Sequence, residues 1–447
     1  MGTLIMTGQL MLSLTILVVL HELGHFLPAR YFGTRVNKFY LFFDFLFPFP
    51  GLLNFSLFKI KRGDTEYGIG WFPFGGYVQI AGMEDETQDA NDMSDEVQPW
   101  EFRSKSVLQR FIVMVGGVTV NFVLGMLLFM MILFVWGDKV LPAQNATFGV
   151  TCDSLAETGG FRDGDKLISI SGKPIDNILK VRGDLFMDNP TSVKINRDGQ
   201  DMDLPIKKEF CNAIATHRGD FMVPNFPFII DKLDGDFNKA SGLQKGDRFL
   251  SIDTVATPFH ANVAQFLAKH KNTTQKVRFV RNEKDTLTAT LKINENGKIR
   301  VGLKPMDEIL TFKNTEYTLL QSIPAGAERG WSVLTNYVAS LGKIFKSEVG
   351  VSDSLGGFGT MAKVFGDQWI WQKFWITTAM ISMILAFMNL LPIPMLDGGY
   401  IIFLIYEAIT GRKPHPKFME YAQMFGLIFI LGLMLFSNGM DIIRAFR

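Results

Sequence analysis

Four stretches of this chain are apolar over the length a helix needs to cross a bilayer: residues 4–27, 107–136, 374–391 continuing past a break to 409, and 421–436. A hydrocarbon layer of about 30 Å takes roughly 20 helical residues. Inside lipid every backbone N–H and C=O must find its partner within the protein, so such stretches fold as helices. The expected class is a polytopic α-helical membrane protein with four transmembrane helices. Its 47% hydrophobic content and 41 Phe agree with contact with membrane lipid. A net charge of +1 leaves no nucleic-acid footprint. Two cysteines exclude a disulfide scaffold and a Cys-ligated zinc site, and leave room for one Cys152–Cys211 bridge.

Charge orients the spans. Arg30, Arg35, Lys38, Lys59, Lys61 and Arg62 follow the first span, and Arg103, Lys105 and Arg110 lie at the start of the second. Arg412, Lys413 and Lys417 lie between the third and fourth. The positive-inside rule puts these clusters in the cytoplasm, with the N-terminus and residues 137–373 outside. The first span carries no Lys or Arg before Arg30 and no small-residue cleavage site, which argues against a removable leader.

That first span contains His21-Glu22-Leu23-Gly24-His25. Ionisable groups at membrane depth are costly and point to function. On a helix, positions i and i+4 share a face, so His21 and His25 can grip one metal ion. Glu22 then stands beside the metal, placed to take a proton from water. A catalytic zinc needs a third protein ligand and an open position. Asn389-Leu390-Leu391-Pro392-Ile393-Pro394-Met395-Leu396-Asp397-Gly398-Gly399 breaks the third apolar segment with two prolines, an acid and two glycines. Irregular backbone at membrane depth survives only where it lines a protein interior or cavity. Asp397 is therefore the candidate third ligand. Asn389 is either a hydrogen-bonding group for an extended chain or a helix-end cap.

Residues 67–80 are rich in glycine and aromatics, with Pro73 among them, and are too short and broken to span. They are expected to form strands dipping into the membrane beside the metal; an ordinary surface hairpin is the alternative. Gly75 and Gly76 would allow close backbone approach, while Trp71, Phe72, Phe74 and Tyr77 suit the interfacial region. The acidic residues 84–96 read as a solvated loop.

Between the second and third spans a pattern repeats. Gly160-Phe161-Arg162-Asp163-Gly164-Asp165-Lys166-Leu167-Ile168-Ser169-Ile170 returns as Gly242-Leu243-Gln244-Lys245-Gly246-Asp247-Arg248-Phe249-Leu250-Ser251-Ile252, identical at five of eleven positions. Each copy continues through an alternating strand, a short helix and a hairpin, giving two small β-rich modules. The pattern resembles the PDZ domains of bacterial membrane and periplasmic proteases, which can bind a chain end as an added strand; a spacer without a ligand is the alternative. Val333, Leu334, Tyr337, Val338, Leu341, Ile344 and Phe345 recur at helical spacing, as in an amphipathic helix at the membrane surface or packed under the modules. The expected organisation is 1–30 first transmembrane helix, 31–106 cytoplasmic side with the membrane-associated β segment, and 107–137 second transmembrane helix. There follow 138–214 and 215–305 as the PDZ-like modules, 306–370 as an amphipathic linker segment, and 371–447 with the last two spans.

The pairing of HELGH with NLLPIPMLDGG resembles the site-2 protease family of intramembrane zinc metalloproteases. With two modules between the second and third spans, the chain is similar to the bacterial RseP type (regulator of sigma-E protease). Phe102-Arg103-Ser104-Lys105-Ser106-Val107, Gln109-Arg110, Gly116-Gly117 with Asn121, and Gly75-Gly76-Tyr77-Val78 fit as well. The resemblance implies a multi-pass protein of the bacterial inner membrane with Zn2+ on His21, His25 and Asp397, Glu22 as catalytic base and Asn389 against substrate. Substrates would be single-span membrane proteins, such as an anti-sigma factor already trimmed by an upstream protease, or remnant signal peptides. An exposed strand edge over residues 70–80, with Gly75, Gly76 and Tyr77, would pair with the unwound substrate. A non-enzymatic adaptor would use the modules yet leave the intramembrane His, Glu and Asp unexplained. A metal-ion transporter would need a further set of ionisable groups across the membrane, which the spans lack.

Overall fold

The computed structural model describes residues 2–46, 52–73, 75–83, 96–217, 221–233, 241–345 and 356–446. The chain divides into two compact units, Met1–Gly137 with Glu316–Gly342 and Leu355–Arg447, and Asp138–Thr315 with Lys343–Ser354. Most of the acidic stretch expected as a loop, residues 84–95, lies outside the described residues, as does Phe74.

In the first unit the apolar segments are helices: α1 Gly2–Tyr31, α2 Val107–Trp136, α3 Leu319–Phe345 (to Gly342 within this unit), α4 Trp371–Leu390, α5 Asp397–Thr410 and α6 Pro416–Ala445. Among the described residues, four helical stretches are long and apolar enough to cross a membrane: Gly2–Tyr31, Val107–Trp136, Trp371–Leu390 and Lys417–Arg444. Ser106 starts α2 with a capping box, its hydroxyl accepting from the Gln109 N–H while the Gln109 side chain accepts from the Ser106 N–H. The third apolar segment does break at its prolines, into α4 and α5. Gly398 and Gly399 are required there, because a Cβ on either would run into the carbonyls of Leu391 and Ile393. Gly24, Gly116 and Gly117 bring α1 and α2 together by the same means.

Helix α3 buries part of its apolar stripe in this unit. Within this unit its Val333 and Leu334 pack with Leu128, Phe129 and Ile132 of α2 and with Ala379 and Met383 of α4. Gly326 and Gly330 abut Met130 and Met126, which lets α3 lie close along α2.

A four-stranded sheet completes this unit: β1 Val36–Leu41, β2 Ser56–Arg62, β3 Thr65–Gly70 and β4 Tyr77–Ile80, in the order β2-β3-β1-β4. Its β1–β3 pair is parallel, and the other two are antiparallel. The expected strands within 67–80 therefore belong to a larger sheet. Tyr40, Phe43, Phe45 and Tyr77 form its aromatic core. Tyr77 is buried in that cluster rather than placed at an interface.

The second unit shows the repeat as topology. β7 Lys166–Ile170, β8 Lys173–Pro174, β9 Ser192–Arg197 and β10 Gln200–Pro205 form a sheet in the order β10-β9-β7-β8. β13 Arg248–Ile252, β14 Val255–Ala256, β15 Thr274–Arg281 and β16 Asp285–Lys292 take the matching order, β14-β13-β15-β16. Helices Val181–Asp188 and His260–Lys269 occupy equivalent places in the two copies. β6 Val150–Cys152 pairs with β11 Met222–Pro224, which carries the first module past the expected boundary at 214. β12 Ile230–Leu233 pairs with β17 Val301–Leu303 in the second module. β5 Asp138–Val140 pairs with β18 Lys313–Thr315, so residues up to 315 belong to this unit rather than to a linker. Cys152 and Cys211 are both buried free thiols. The bridge is not formed.

Candidate metal centre

The centre is assembled from the helical unit alone. One turn of α1 separates His21 from His25, and their Nε2 atoms stand 3.3 Å apart. Asp397 is the first residue of α5, delivered by the proline break. Its Oδ2 lies 3.4 Å from His21 Nε2 and 3.5 Å from His25 Nε2. A tetrahedral zinc with bonds of about 2.0–2.2 Å spaces its ligand atoms by roughly 3.3 Å. The three donors already keep that spacing. Asp397 Oδ2 is buried and has no hydrogen-bond partner among the described residues, as expected of an oxygen reserved for a cation. Two imidazoles and a carboxylate with a fourth position open are a catalytic zinc set.

His25 is held by its other nitrogen. Nδ1 lies 2.9 Å from the Val113 carbonyl on α2, so Nδ1–H donates there and the Nε2 lone pair faces the donor triangle. Gly117 makes room, since a Cβ at that position would strike the rings of both His25 and His21.

A cavity of about 250 Å³ opens at the centre, with Glu22, Asn389, Asp397 and the β4 residues Tyr77 and Val78 in its wall. Gly76 lines it too. Glu22 is thus beside the donor triangle, as the motif implied. Asn389 sits in the last turn of α4 and turns its Nδ2 to within 3.3 Å of His21 Nε2, so it faces the centre and does not cap its helix. Gly75 is not in the wall. Its backbone, at φ 154°, packs against the Phe43 ring, with which a Cβ would collide at 2.6 Å. Gly76 is pressed on the Tyr40 carbonyl and Val18 of α1. These glycines serve the sheet's own packing. Tyr77 donates from its hydroxyl to Asp44 at 2.9 Å and stacks on Tyr40, so its ring is committed elsewhere.

One pair escaped the sequence reading. Arg110 on α2 and Glu407 on α5 form an ion pair at 2.7 Å, 7% and 12% exposed. In sequence Arg110 belongs to a topogenic charge cluster and to the Gln109-Arg110 match, and its partner lies 297 positions away. The available signal was a charge of each sign inside otherwise apolar helices. The pair pins α5, and with it Asp397, against α2.

Residues 9–433 match peptidase family M50. The chain belongs to that family. It is 25% identical to the regulator of sigma E protease of Haemophilus influenzae, over 98% of this chain and 98% of that one. It is likewise 25% identical to metalloprotease MmpA of Caulobacter vibrioides, over 99% of this chain and 96% of the relative. A Rhizobium meliloti relative that carries zinc metalloprotease in its name is 26% identical over 96% of this chain and 94% of its own length. This M50 member is therefore a zinc metalloprotease of the regulator of sigma E protease type, a membrane protein with apolar spanning helices.

Proposed function

We propose that this M50 protease hydrolyses a peptide bond within the membrane-spanning segment of single-span membrane proteins, with His21, His25 and Asp397 holding zinc and Glu22 as general base. The observation that carries this reading is the donor triangle with edges of 3.3–3.5 Å beside a cavity inside a unit of apolar helices. Zinc on these ligands would polarise a scissile carbonyl and acidify water. Glu22 takes the proton of the attacking water and returns it to the leaving amine, a transfer that needs its carboxylate in the cavity wall. Asn389, with its amide at the centre, is placed to hold an extended substrate backbone. In purified protein Glu22→Gln retains zinc and loses cleavage, whereas His21→Ala loses both. Undiminished cleavage by Glu22→Gln would refute the mechanism.

A helical substrate shields its amides, and unwinding it in lipid strands backbone groups at several kcal/mol each. β4 is an edge strand and lines the cavity, so pairing with it offsets that penalty. The two modules, taken as PDZ-like and extracytoplasmic on the charge rule, act as a size filter, because a folded domain is too wide to pass between spans. Substrates then arrive after trimming by another protease. The name of the Haemophilus relative ties that protein to regulation of sigma E; in this reading a trimmed anti-sigma factor is one substrate class, and remnant signal peptides meet the same size limit. The bacterial inner membrane is the site of action in this reading.

A further inference from the structure

His25 and His21 are held differently on their metal-distal sides. His25 Nδ1 faces a carbonyl, which fixes the tautomer with a free Nε2. His21 Nδ1 faces the side-chain amide of Asn121 on α2, with Nδ2 at 3.2 Å. In that arrangement the amide N–H donates to Nδ1, and a ring proton on Nε2 would face the Asn389 Nδ2 at 3.3 Å as well as Asp397. A ligating His21 needs the opposite tautomer, with Nδ1–H donating outward. Asn121 has one acceptor for it, Oδ1, and that oxygen is buried without a hydrogen-bond partner among the described residues. Asn121 is 1% exposed, and its backbone carbonyl accepts from the Ser382 hydroxyl at 2.7 Å, so the amide has a fixed root beside the ring.

Half a turn of the amide exchanges Nδ2 for Oδ1 and removes the donor–donor conflict. We propose that Asn121 is the positioning residue of His21: with Oδ1 turned to Nδ1–H it locks the zinc-ligating tautomer. The proposal rests on reading His21, His25 and Asp397 as the zinc ligands. Val113 and Asn121, eight positions apart on one helix, then perform the same task for the two histidines, one with a carbonyl that cannot turn and one with an amide that can.

Zinc dissociation constants of full-length protein in detergent, measured by chelator competition, test this. Asn121→Leu keeps the branching at Cγ and loses the acceptor, and should weaken zinc binding about 10–100-fold. Asn121→Asp presents an acceptor in either orientation and should bind zinc as tightly as wild type or more so. A purely structural role predicts a different order, because a buried carboxylate disturbs helix packing more than leucine does. Wild-type zinc affinity in Asn121→Leu, or equal weakening in Asn121→Leu and Asn121→Asp, overturns the proposal. Should Asn121→Leu not fold, Asn121→Ala removes the same oxygen and takes its place in the comparison. If wild type itself binds no zinc, the ligand assignment fails rather than the role of Asn121.

Discussion

Asp165 and Asp247 in the module unit and Asp397 in the helical unit meet burial in opposite ways. Asp165 receives both Nε and Nη2 of Arg197 at 2.7 Å and the Arg162 N–H at 2.8 Å. Asp247 repeats the arrangement with Arg281 and the Gln244 N–H, each at 2.8 Å. Among the described residues Asp397 meets no arginine, two imidazoles beyond 3.3 Å, and has an oxygen left without a hydrogen bond. A buried carboxylate must be neutralised or hydrogen-bonded. In the modules the protein does this itself, twice, with bidentate pairs. In the helical unit the protein stops short and leaves the last charge to a ligand. Saturated carboxylates mark architecture, and the unsaturated one marks chemistry.

The contrast can be broken by exchanging losses. Asp397→Ala should abolish zinc binding and cleavage while thermal unfolding of the module unit stays in place. Retained zinc in that variant would make Asp397 one more architectural acid. Asp247→Ala removes the acceptor of the Arg281 guanidinium and of the Gln244 N–H and should destabilise its module, read by denaturant unfolding, with zinc content unchanged. A loss of zinc there would couple the two units in a way that this contrast excludes.

Smaller effects sharpen it. Proline at Tyr77 or Val78 removes one N–H from β4. Whichever of these N–H groups points away from β1 should be the sensitive one, with turnover down several-fold and zinc retained. Normal rates from both folded variants would show that substrate does not pair at this edge. Replacing residues 141–312 by Asn-Gly joins β5 to β18, whose ends Val140 and Lys313 already face each other. Cleavage of short-tailed substrates should survive and untrimmed ones should become substrates; loss of all cleavage with zinc still bound would end the filter reading.

The smallest effect belongs to the thiols. Burial, reinforced by Asp163, Asp165 and Asp153, pushes the Cys152 thiol up to about 12, and burial also raises that of Cys211. Because a raised value keeps the thiol protonated, native protein should resist thiol reagents from pH 7 to 10, while the denatured, unreduced chain yields two reactive groups. Fewer than two would reveal a bridge.

Local chemistry made much of this protein readable from its residues. Apolar run length set the spans, because lipid admits no unpaired backbone. The i, i+4 histidines set one half of the centre, because helix geometry places them on one face. The paired prolines set the break before Asp397, and a repeated Gly-Asp turn set the two modules. What the residues could not state is which distant groups meet. Asn389 and His21 lie 368 positions apart, and only the stacking of α1 and α4 on α2 makes them neighbours. The same holds for Arg110 with Glu407, for α3 along α2, and for β11 closing the first module. Glycines at 24, 116, 117 and 398 carry much of that information, yet in sequence a glycine that admits another backbone looks like any flexible one. Periodicity reports which side of an element is buried; shape complementarity alone decides what is buried against it.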